Sequence, residues 1–561
     1  MRKLAALALL LAAAAPLRAS PTPAQFDWFE YRGKDGLAKP APTQYSNPIL
    51  AGFHPDPSIV RVGRDYYLVN STFAWFPGMP VFKSRDLVHW TQVGNAIDRP
   101  RQLDFDKLEM GQGLYAPDIS WHDGLFYIVN TCVGCGGNFV ISARRPQGPW
   151  SNPVFLPEVT GIDVSLFFDD DGSAWVVHNG PPPETPRYAG HTALWLQRFD
   201  PGALRVVGPP QLLVDAGVHP EQNPIWIEGP HIFKRKGVYY LIAAEGGTEE
   251  NHSEVVFKSN KVTGPYEALS SNPILTQRDL PKERSRAITS TGHAKFVETQ
   301  RGDWWAVFLG VRPYDAAGNF NTGRETFLMP VHWIDGWPRI TNPGEVVPST
   351  ERAPRLPRQP LSPVPTSGDF TIREDFNSPG LPSGWMMLRN PRSKWWRIHQ
   401  GALELDARDV GLGGHGNPSL LARRQQHINA TAVTSLRFRP SSDGAEAGIV
   451  AYQNDEHWYF LGIGSDKGKL VVRLRRRAGD AEAPSGTILA QAPLEAVPGA
   501  PVRLRINARG ASYGFDWSLD GQRWNTLLGD ADGTMLGTKK AGGFVGAVFG
   551  LYAHDSSGGA K

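Results

Sequence analysis

Short apolar runs that contain aromatic residues recur along the first two thirds of the chain. Five of them have the composition of buried strands: YYLVNST from Tyr66, FYIVNTC from Phe126, AWVVHNG from Ala174, YYLIAAE from Tyr239 and WWAVFLG from Trp304. Their central aromatic residues lie 60, 48, 65 and 65 residues apart. A repeat of this size, built of strands and turns without a helical period, is typical of a propeller blade. The pattern predicts five blades over residues 45–345.

A proline-rich stretch without apolar periodicity follows, at residues 346–368, and is expected to be a linker. Beyond it, residues 369–561 contain many alternating segments, such as GALELDA, GIVAYQN and KLVVRLR, with no further repeat. Many short strands of this kind are typical of a β-sandwich. The predicted fold class is therefore all-β, a five-bladed β-propeller followed by a β-sandwich.

The first nineteen residues are typical of a secretory signal peptide, because two cations precede an apolar stretch and a small residue. The mature chain is expected to begin near Ser20, with residues 20–44 as an N-terminal segment, in the periplasm or outside a bacterial cell. No later segment approaches the about 20 apolar residues of a membrane span. The sequence predicts an exported protein without a membrane partner.

Composition excludes several classes of function. The 561 residues are 41% hydrophobic with a net charge of only +3, spread along the chain, so no nucleic-acid partner is indicated. The two cysteines, Cys132 and Cys135, are too few for a zinc cage, and a local disulfide or two inert thiols is favoured over redox work. No phosphate loop or serine elbow is present, and no cofactor is predicted to be required.

A polar residue precedes each of the five central aromatics by 9 to 12 residues: Asp56, Asp118, Asp163, Glu228 and His293. If the blades are equivalent, each of these residues lies where the innermost strand of its blade begins, and all five converge near one axis. Neighbouring carboxylates repel and drive a pKa upward, which suits a pair in which one group is protonated and the other ionised. Glycoside hydrolysis uses such a pair. The alternative is that these acids only cap turns.

The motifs HPDPS, GIDVSLFFDDDG, IEGPHIFKRKGVYYL, TGHAKFVET and NTGRETFLMPVHWIDGWP resemble glycoside hydrolase family 43, in its β-xylosidase and α-L-arabinofuranosidase branch. The resemblance extends from about Tyr45 to the C-terminus and implies a five-bladed propeller that hydrolyses with inversion. It implies that Asp56 is the general base and Glu228 the general acid. Asp163 matches the carboxylate that raises the pKa of the acid and orients it, whereas Asp118 has no catalytic counterpart.

The same resemblance implies residues that bind the sugar. Arg324 in GRETF matches an arginine that binds sugar hydroxyls, the alternative being a salt bridge with Glu325 or with another blade. His293 matches a histidine near the axis that orients the base region or contacts a central calcium through its water shell. The alternative for His293 is a satisfied core histidine, and a structural Ca²⁺ is the only metal implied.

Aromatic side chains are expected to stack on the sugar ring, and the candidates are Phe73, Trp75 and Phe76 in STFAWFPGMP, together with Tyr115. The alternative is that these side chains belong to the core. The C-terminal region resembles the lectin-like, concanavalin A-like sandwich of family 43 β-xylosidases, in which a loop pushes an aromatic into the pocket. Phe544 in GGFVGAVFG is expected at that place.

The resemblance departs from the family pattern at one strand. Relatives finish the sandwich with a strand of the type ADFDYFRY after LYAHDSSG, but this chain ends HDSSGGAK, whereas AQFDWFEYRG stands at residues 24–33. We expect residues 25–32 to complete the sandwich, since a missing strand would leave an unpaired edge. The alternative is a disordered leader with an accidental similarity.

The resemblance implies an exo-acting enzyme that releases xylose from the non-reducing ends of β-1,4-xylo-oligosaccharides. The nearest alternative is an α-L-arabinofuranosidase, or an enzyme with both activities. A more distant one is a carbohydrate-binding protein without catalysis, because propellers and sandwiches also serve as lectins. The expected partner is an oligosaccharide, and the sequence predicts no oligomeric state.

Overall fold

The computed structural model describes residues 23–36 and 39–556. The predicted signal peptide lies outside the described residues. Within the described ranges nearly all regular structure is β-strand, and the helices are α1 (Thr538–Ala541) and two 3₁₀ turns, Pro220–Gln222 and Gly533–Leu536. None of these helices is long and apolar enough to cross a membrane. The predicted all-β class is confirmed.

The strands are numbered in chain order. The N-terminal part contains β1 (Ala24–Gly33), β2 (Gln44–Ser46), β3 (Ser58–Val62), β4 (Asp65–Val69), β5 (Trp75–Phe76), β6 (Gly78–Ser84), β7 (Thr91–Ile97), β8 (Gly113–Leu114), β9 (Asp118–His122), β10 (Leu125–Val133), β11 (Gly137–Ala143), β12 (Val154–Phe155), β13 (Ser165–Phe168), β14 (Ala174–Gly180), β15 (Ala193–Asp200), β16 (Arg205–Asp215), β17 (Glu228–Arg235), β18 (Val238–Glu245), β19 (Ser253–Ser259), β20 (Glu267–Ala268), β21 (Leu275–Thr276), β22 (Thr289–Glu298), β23 (Trp304–Val311), β24 (Glu325–Ile334), β25 (Trp337–Arg339) and β26 (Thr350–Arg352).

The C-terminal part contains β27 (Phe370–Glu374), β28 (Met387–Leu388), β29 (Trp396–His399), β30 (Ala402–Leu405), β31 (Ser419–Arg424), β32 (Asn429–Arg437), β33 (Ala445–Asn454), β34 (His457–Asp466), β35 (Lys469–Ala478), β36 (Thr487–Pro493), β37 (Val502–Arg509), β38 (Ser512–Ser518), β39 (Asn525–Asp532) and β40 (Val548–Asp555).

Consecutive strands of the N-terminal part form separate antiparallel sheets. Their orders are β3-β4-β6-β7, β8-β10-β11-β12 with β9 also on β10, β13-β14-β15-β16, β17-β18-β19-β20 with β21 on β19, and β22-β23-β24-β25. The strands β3, β9, β13, β17 and β22 contact one another in this order, and β22 contacts β3. The five sheets are therefore joined by a closed circle of contacts between these strands.

The apolar runs that mark the repeat correspond to strands that are buried on both faces. In β10, for example, every residue from Phe126 to Cys132 is buried, because neighbouring sheets cover the strand from both sides. Strands with two covered faces are continuous apolar runs rather than alternating ones. Cys132 at the end of this strand forms a disulfide with Cys135 across the turn to β11.

Residues 346–368 run along the surface of the N-terminal sheets. Within this stretch β26 pairs with β2, and the amide N–H of Gln359 donates to the carboxylate of Asp86 at 3.1 Å. These bonds hold the stretch in place between the two parts of the molecule.

The C-terminal part consists of two sheets packed face to face. One has the order β29-β30-β1-β32-β37-β38-β39, with β27 also paired to β1, and the other has the order β31-β40-β33-β34-β35-β36. The apolar faces of both sheets form one continuous core. Residues 24–33 thus belong to the sandwich although they precede the first repeat.

β1 lies in the interior of the larger sheet. It pairs with β32 on one side, for example Tyr31 with Ala432, and with β27 and β30 on the other. Phe26, Phe29 and Tyr31 on its inner face are almost completely buried. Removing β1 would leave β32 without its neighbour on that side and would expose the apolar core.

The two parts share a buried contact. The short strand β5 pairs with β28, and the fully buried Arg389 donates to the carboxylate of Asp455 at 2.6 Å and to the carbonyl of Leu108 at 2.7 Å. The guanidinium of Arg389 therefore ties a loop of the N-terminal part to the sandwich.

Candidate active site

Four polar residues come together along the inner strands. Asp56 precedes β3, Asp163 precedes β13, Glu228 opens β17, and His293 lies in the middle of β22. The imidazole Nε2 of His293 lies 3.4 Å from Asp163 Oδ2, and Arg324 Nη1 lies 3.3 Å from Asp56 Oδ1. The structure thus brings together residues that are up to 268 positions apart in the sequence.

The backbone at this place is strained. Asp56, Asp163 and His293 have φ angles of 51°, 55° and 55°, in the left-handed region that residues with a Cβ rarely adopt. Gly229 also has a positive φ, and a Cβ there would lie 2.5 Å from Nε2 of His293. Such positions cost about 1–3 kcal/mol each and cluster at functional sites.

Asp56 is held in the ionised form. Its carboxylate is buried and accepts hydrogen bonds from Ser71 Oγ at 2.5 Å and from Arg324. Burial by itself would raise the pKa of Asp56, but the positive charges of Arg324 and His293 and the bond from Ser71 outweigh it and lower the pKa below its usual value. An ionised carboxylate at neutral pH can act as a general base.

Glu228 is held in the protonated form. Burial and the negative charge of Asp163 raise its pKa from 4.5 to about 8, against the opposing effect of His293. Asp163 accepts a hydrogen bond from the backbone N–H of Gly229 at 3.2 Å, which holds it beside the start of β17. A carboxyl group that keeps its proton at neutral pH can act as a general acid.

His293 carries a proton over the same pH range. Burial would lower its pKa, but the hydrogen bond to Asp163 and the surrounding carboxylates raise the pKa to about 9. The Nε2 atom of His293 faces the carboxylate of Asp163 at 3.4 Å. Among the described residues no group of three or more His, Cys, Asp or Glu is placed to hold a metal ion. The expected calcium stays a prediction.

Three aromatic rings and a guanidinium surround one side of the site. Phe544, from the sandwich, stacks on Phe73 with ring centres 5.8 Å apart and an interplanar angle of 24°. Tyr115 meets both rings edge to face, at 5.6 and 5.8 Å, and Arg324 lies 5.2 Å from the ring of Phe544. The expected contact of a sandwich loop with the N-terminal site is therefore present in the structure as an aromatic cluster.

Two candidates lie elsewhere. Trp75 is fully buried between Phe53 and Tyr452, in the contact between the two parts, because β5 pairs with the sandwich strand β28. That position leaves no face of its ring for a sugar, and the neighbouring Phe76 is buried with it. Arg324 does not pair with Glu325, which pairs with Arg312 at 2.6 Å. It does form an ion pair with Asp56 beside another sheet, so that part of the alternative is present.

The sequence reasoning missed three residues that act on the carboxylates. Ser71 binds Asp56, Gly229 binds Asp163, and the buried His252 lowers the pKa of Asp56 slightly. Ser71 stands in the polar run NST that ends an apolar strand, and Gly229 directly follows Glu228 in IEGPH. A serine after a strand and a glycine after an acidic residue are both too common to single out these residues in the sequence.

Known protein families and individual relatives match nearly the whole chain. Residues 45–338 match the model of glycosyl hydrolases family 43, and residues 373–561 match the β-xylosidase C-terminal concanavalin A-like domain. A xylosidase/arabinosidase of Butyrivibrio fibrisolvens is 36% identical over 91% of this chain and 95% of its own. A non-reducing end α-L-arabinofuranosidase of Bacteroides ovatus is 35% identical over 91% of both chains.

A solved structure has the same fold. The crystal structure of a GH43_12 protein retrieved from capybara gut metagenome superimposes with a TM-score of 0.87 and 38% identity, over 94% of this chain and 99% of that one. The similarity thus includes both the N-terminal sheets and the sandwich.

Proposed function

This chain belongs to glycoside hydrolase family 43, and on that premise we propose that it removes single xylose units from the non-reducing ends of β-1,4-xylo-oligosaccharides, with inversion. It is a glycoside hydrolase, and its substrates are oligosaccharides. The observation that carries the proposal is the opposite displacement of two pKa values, that of Glu228 upward to about 8 and that of Asp56 downward.

The five N-terminal sheets are the blades of a five-bladed β-propeller in this proposal. The closed circle of contacts among β3, β9, β13, β17 and β22 supports it, because these strands would be the innermost strands around the axis. The active site then lies at the end of the axis where these strands begin.

The reaction requires one proton donor and one proton acceptor. Glu228 donates its proton to the glycosidic oxygen as that bond breaks, while Asp56 takes a proton from the water that attacks the anomeric carbon from the opposite face. The negative charge of Asp163 raises the pKa of Glu228, because it disfavours a second negative charge nearby, and so keeps Glu228 protonated. Arg324 and protonated His293 are cations beside three carboxyl groups, and Arg324 positions Asp56.

The aromatic cluster accounts for action at chain ends. Phe544 reaches from the sandwich onto Phe73 and narrows the space next to Arg324. A pocket closed in this way admits one terminal sugar, whose apolar ring face stacks on Tyr115 or Phe544, because Phe73 is as fully buried as Trp75. The remainder of the oligosaccharide then extends towards solvent.

Cleavage of terminal α-L-arabinofuranose is the second candidate. It is favoured by the two relatives, one a xylosidase/arabinosidase and the other an α-L-arabinofuranosidase. The two sugars present similar hydroxyl groups to the same carboxylates.

We further propose that residues 1–19 direct export of the protein.

A panel of pentosides tests the function. The p-nitrophenyl β-D-xyloside and α-L-arabinofuranoside are compared by kcat/KM, and xylobiose hydrolysis is followed by proton NMR. We expect xylosides to be cleaved with α-xylose as the first product, which reports inversion. Faster cleavage of the arabinofuranoside would assign the enzyme to the second candidate, and β-xylose as the first product would contradict inversion.

A further inference from the structure

A cavity of about 280 Å³ adjoins the active site between the two parts of the molecule. Arg324 and Phe544 form part of its wall, and they also contact Asp56 and Phe73. The remaining wall comes from loops at residues 248–250, 277–290 and 311–320 and from the sandwich loop that carries Phe544. The cavity therefore shares two wall residues with the surroundings of Asp56 and Phe73.

Basic side chains outnumber acidic ones in this wall. The basic residues are Arg278, Lys282, Arg284, Arg324 and Lys539, and the acidic ones are Glu249, Glu250 and Asp315. Glu250 binds the ammonium groups of both Lys282 and Lys539, so that one carboxylate is shared by two cations. The wall consequently carries a surplus of positive charge at neutral pH.

Two guanidinium groups of the wall have no carboxylate partner among the described residues, whereas Arg324 pairs with Asp56. Arg278 donates to the backbone carbonyl of Asn251 at 3.3 Å. Arg284 donates to backbone carbonyls, including that of Pro281 at 2.9 Å, and to the side-chain amide oxygen of Gln277. Neither forms an ion pair with a carboxylate among the described residues. Burial also lowers the pKa of Arg284, so an anion beside it would relieve an unfavourable environment.

We propose that this cavity binds a carboxylate-bearing sugar, a uronic acid unit, on the leaving-group side of the substrate. The proposal rests on the proposed function, because Asp56 and Glu228 act on the terminal sugar and any sugar beyond Phe544 belongs to the leaving group. A guanidinium matches a carboxylate in a bidentate geometry. The volume is close to the lower end of small-molecule sites, about 300–1,000 Å³, and suits a single sugar.

The test compares two xylo-oligosaccharides that differ only in a uronic acid substituent on the sugar next to the terminal xylose. For the wild-type enzyme we expect kcat/KM to be about tenfold higher on the acidic substrate at low salt, since a hydrogen-bonded ion contributes about that factor. Arg278→Gln and Arg284→Gln each reduce this preference and leave kcat/KM on the neutral substrate unchanged. Arg286→Gln, in the same loop but outside the wall, keeps the preference.

Melting temperatures show whether each variant folds. If Arg284→Gln does not fold, Arg278→Gln tests the proposal alone, because the side chain of Arg278 is exposed. Equal kcat/KM on both substrates in the wild type overturns the proposal, as does a preference that survives in the folded variants. Calorimetry with the Glu228→Gln enzyme measures binding of the acidic and neutral oligosaccharides separately from turnover. If no pentoside is cleaved but the acidic oligosaccharide still binds more tightly, the proposed function fails and the cavity assignment stands.

Discussion

Two buried polar clusters lie next to each other on the inner strands, one drawing on four of these strands and the other on all five, and they differ in how their charges are paired. The catalytic cluster contains Asp56, Asp163, Glu228 and His293. The second cluster surrounds Asp118, two or three residues further along the same strands, and consists of Ser58, Asp118, Leu166, His231 and Lys295.

The carboxylate of Asp118 is contacted by polar groups from each of the other four inner strands. It accepts hydrogen bonds from Ser58 Oγ and from the backbone N–H of Leu166, both at 3.0 Å, and it pairs with Lys295 Nζ. His231 Nδ1 lies 3.5 Å away, and burial lowers the pKa of this imidazole to about 3, so that it is neutral. Despite its burial Asp118 has a lowered pKa, because Lys295 provides the opposite charge.

The catalytic cluster lacks this balance. Asp163 repels Glu228, and three of its residues have positive φ angles. Ser58 follows Asp56 by two residues and Lys295 follows His293 by two, so the paired cluster forms the next layer along these strands. The comparison indicates that the paired cluster holds the five strands together, and that this stability allows the catalytic cluster to remain strained.

The largest effect is expected from removing a catalytic carboxyl. Asp56→Asn should lower kcat on every substrate by about 10²- to 10⁴-fold, because the attacking water loses its base. Glu228→Gln should do the same on xylobiose but much less on p-nitrophenyl xyloside, whose leaving group is a stable anion that needs little protonation. Steady-state kinetics on both substrates check this, and an equal loss on both for Glu228→Gln would contradict its role as acid.

The second prediction concerns stability. Asp118→Asn should lower the free energy of unfolding by about 3–5 kcal/mol, because Lys295 would remain as an unpaired buried charge. The matched control is Glu228→Gln, which makes the same carboxyl-to-amide exchange in the catalytic cluster. At pH 5, close to the ordinary pKa of 4.5, it should leave stability nearly unchanged, since little of the difference between the folded and unfolded pKa of Glu228 is then expressed. Denaturant unfolding of both variants measures the difference, and equal losses would break the comparison.

The third prediction is a dependence on pH. Activity should fall as the pH rises through about 8, where Glu228 loses its proton, and it should persist well into the acidic range because the pKa of Asp56 is lowered. The raised pKa of Glu228 also means that its contribution to stability is full below pH 4.5 and is lost as the pH rises through about 8. Glu228→Gln should therefore unfold at a higher temperature than wild type at pH 9, but not at pH 5.

The smallest effect is expected at the aromatic cluster. Phe544→Ala should lower kcat/KM by about two- to tenfold, since an aromatic pair contributes about 0.5–1.5 kcal/mol beyond its burial. The effect should appear in KM rather than in kcat, because neither catalytic carboxyl contacts this ring. Phe544→Leu, which keeps an apolar side chain, should recover part of the loss. A fall in kcat alone would assign Phe544 to the catalytic step instead.

The sequence carried much of this information, but not all of it. Asp56, Asp163 and Glu228 could be singled out because they precede repeated apolar strands. The similarity of residues 24–33 to a sandwich strand was also apparent from the amino-acid sequence. Trp75 was placed wrongly, because β5 pairs with the sandwich strand β28 and the ring is buried between the two parts of the molecule. Ser71 was missed because a single serine after a strand has no distinguishing pattern.

The sequence by itself determined the all-β class, the number of repeats and the kinds of group available for acid and base chemistry, because these depend on local periodicity and on residue type. Only the tertiary structure decided that Glu228 keeps its proton while Asp56 and Asp118 lose theirs, and that β1 lies inside the sandwich. The reason is that a pKa and a strand's neighbours depend on burial and charge contributed by residues hundreds of positions away.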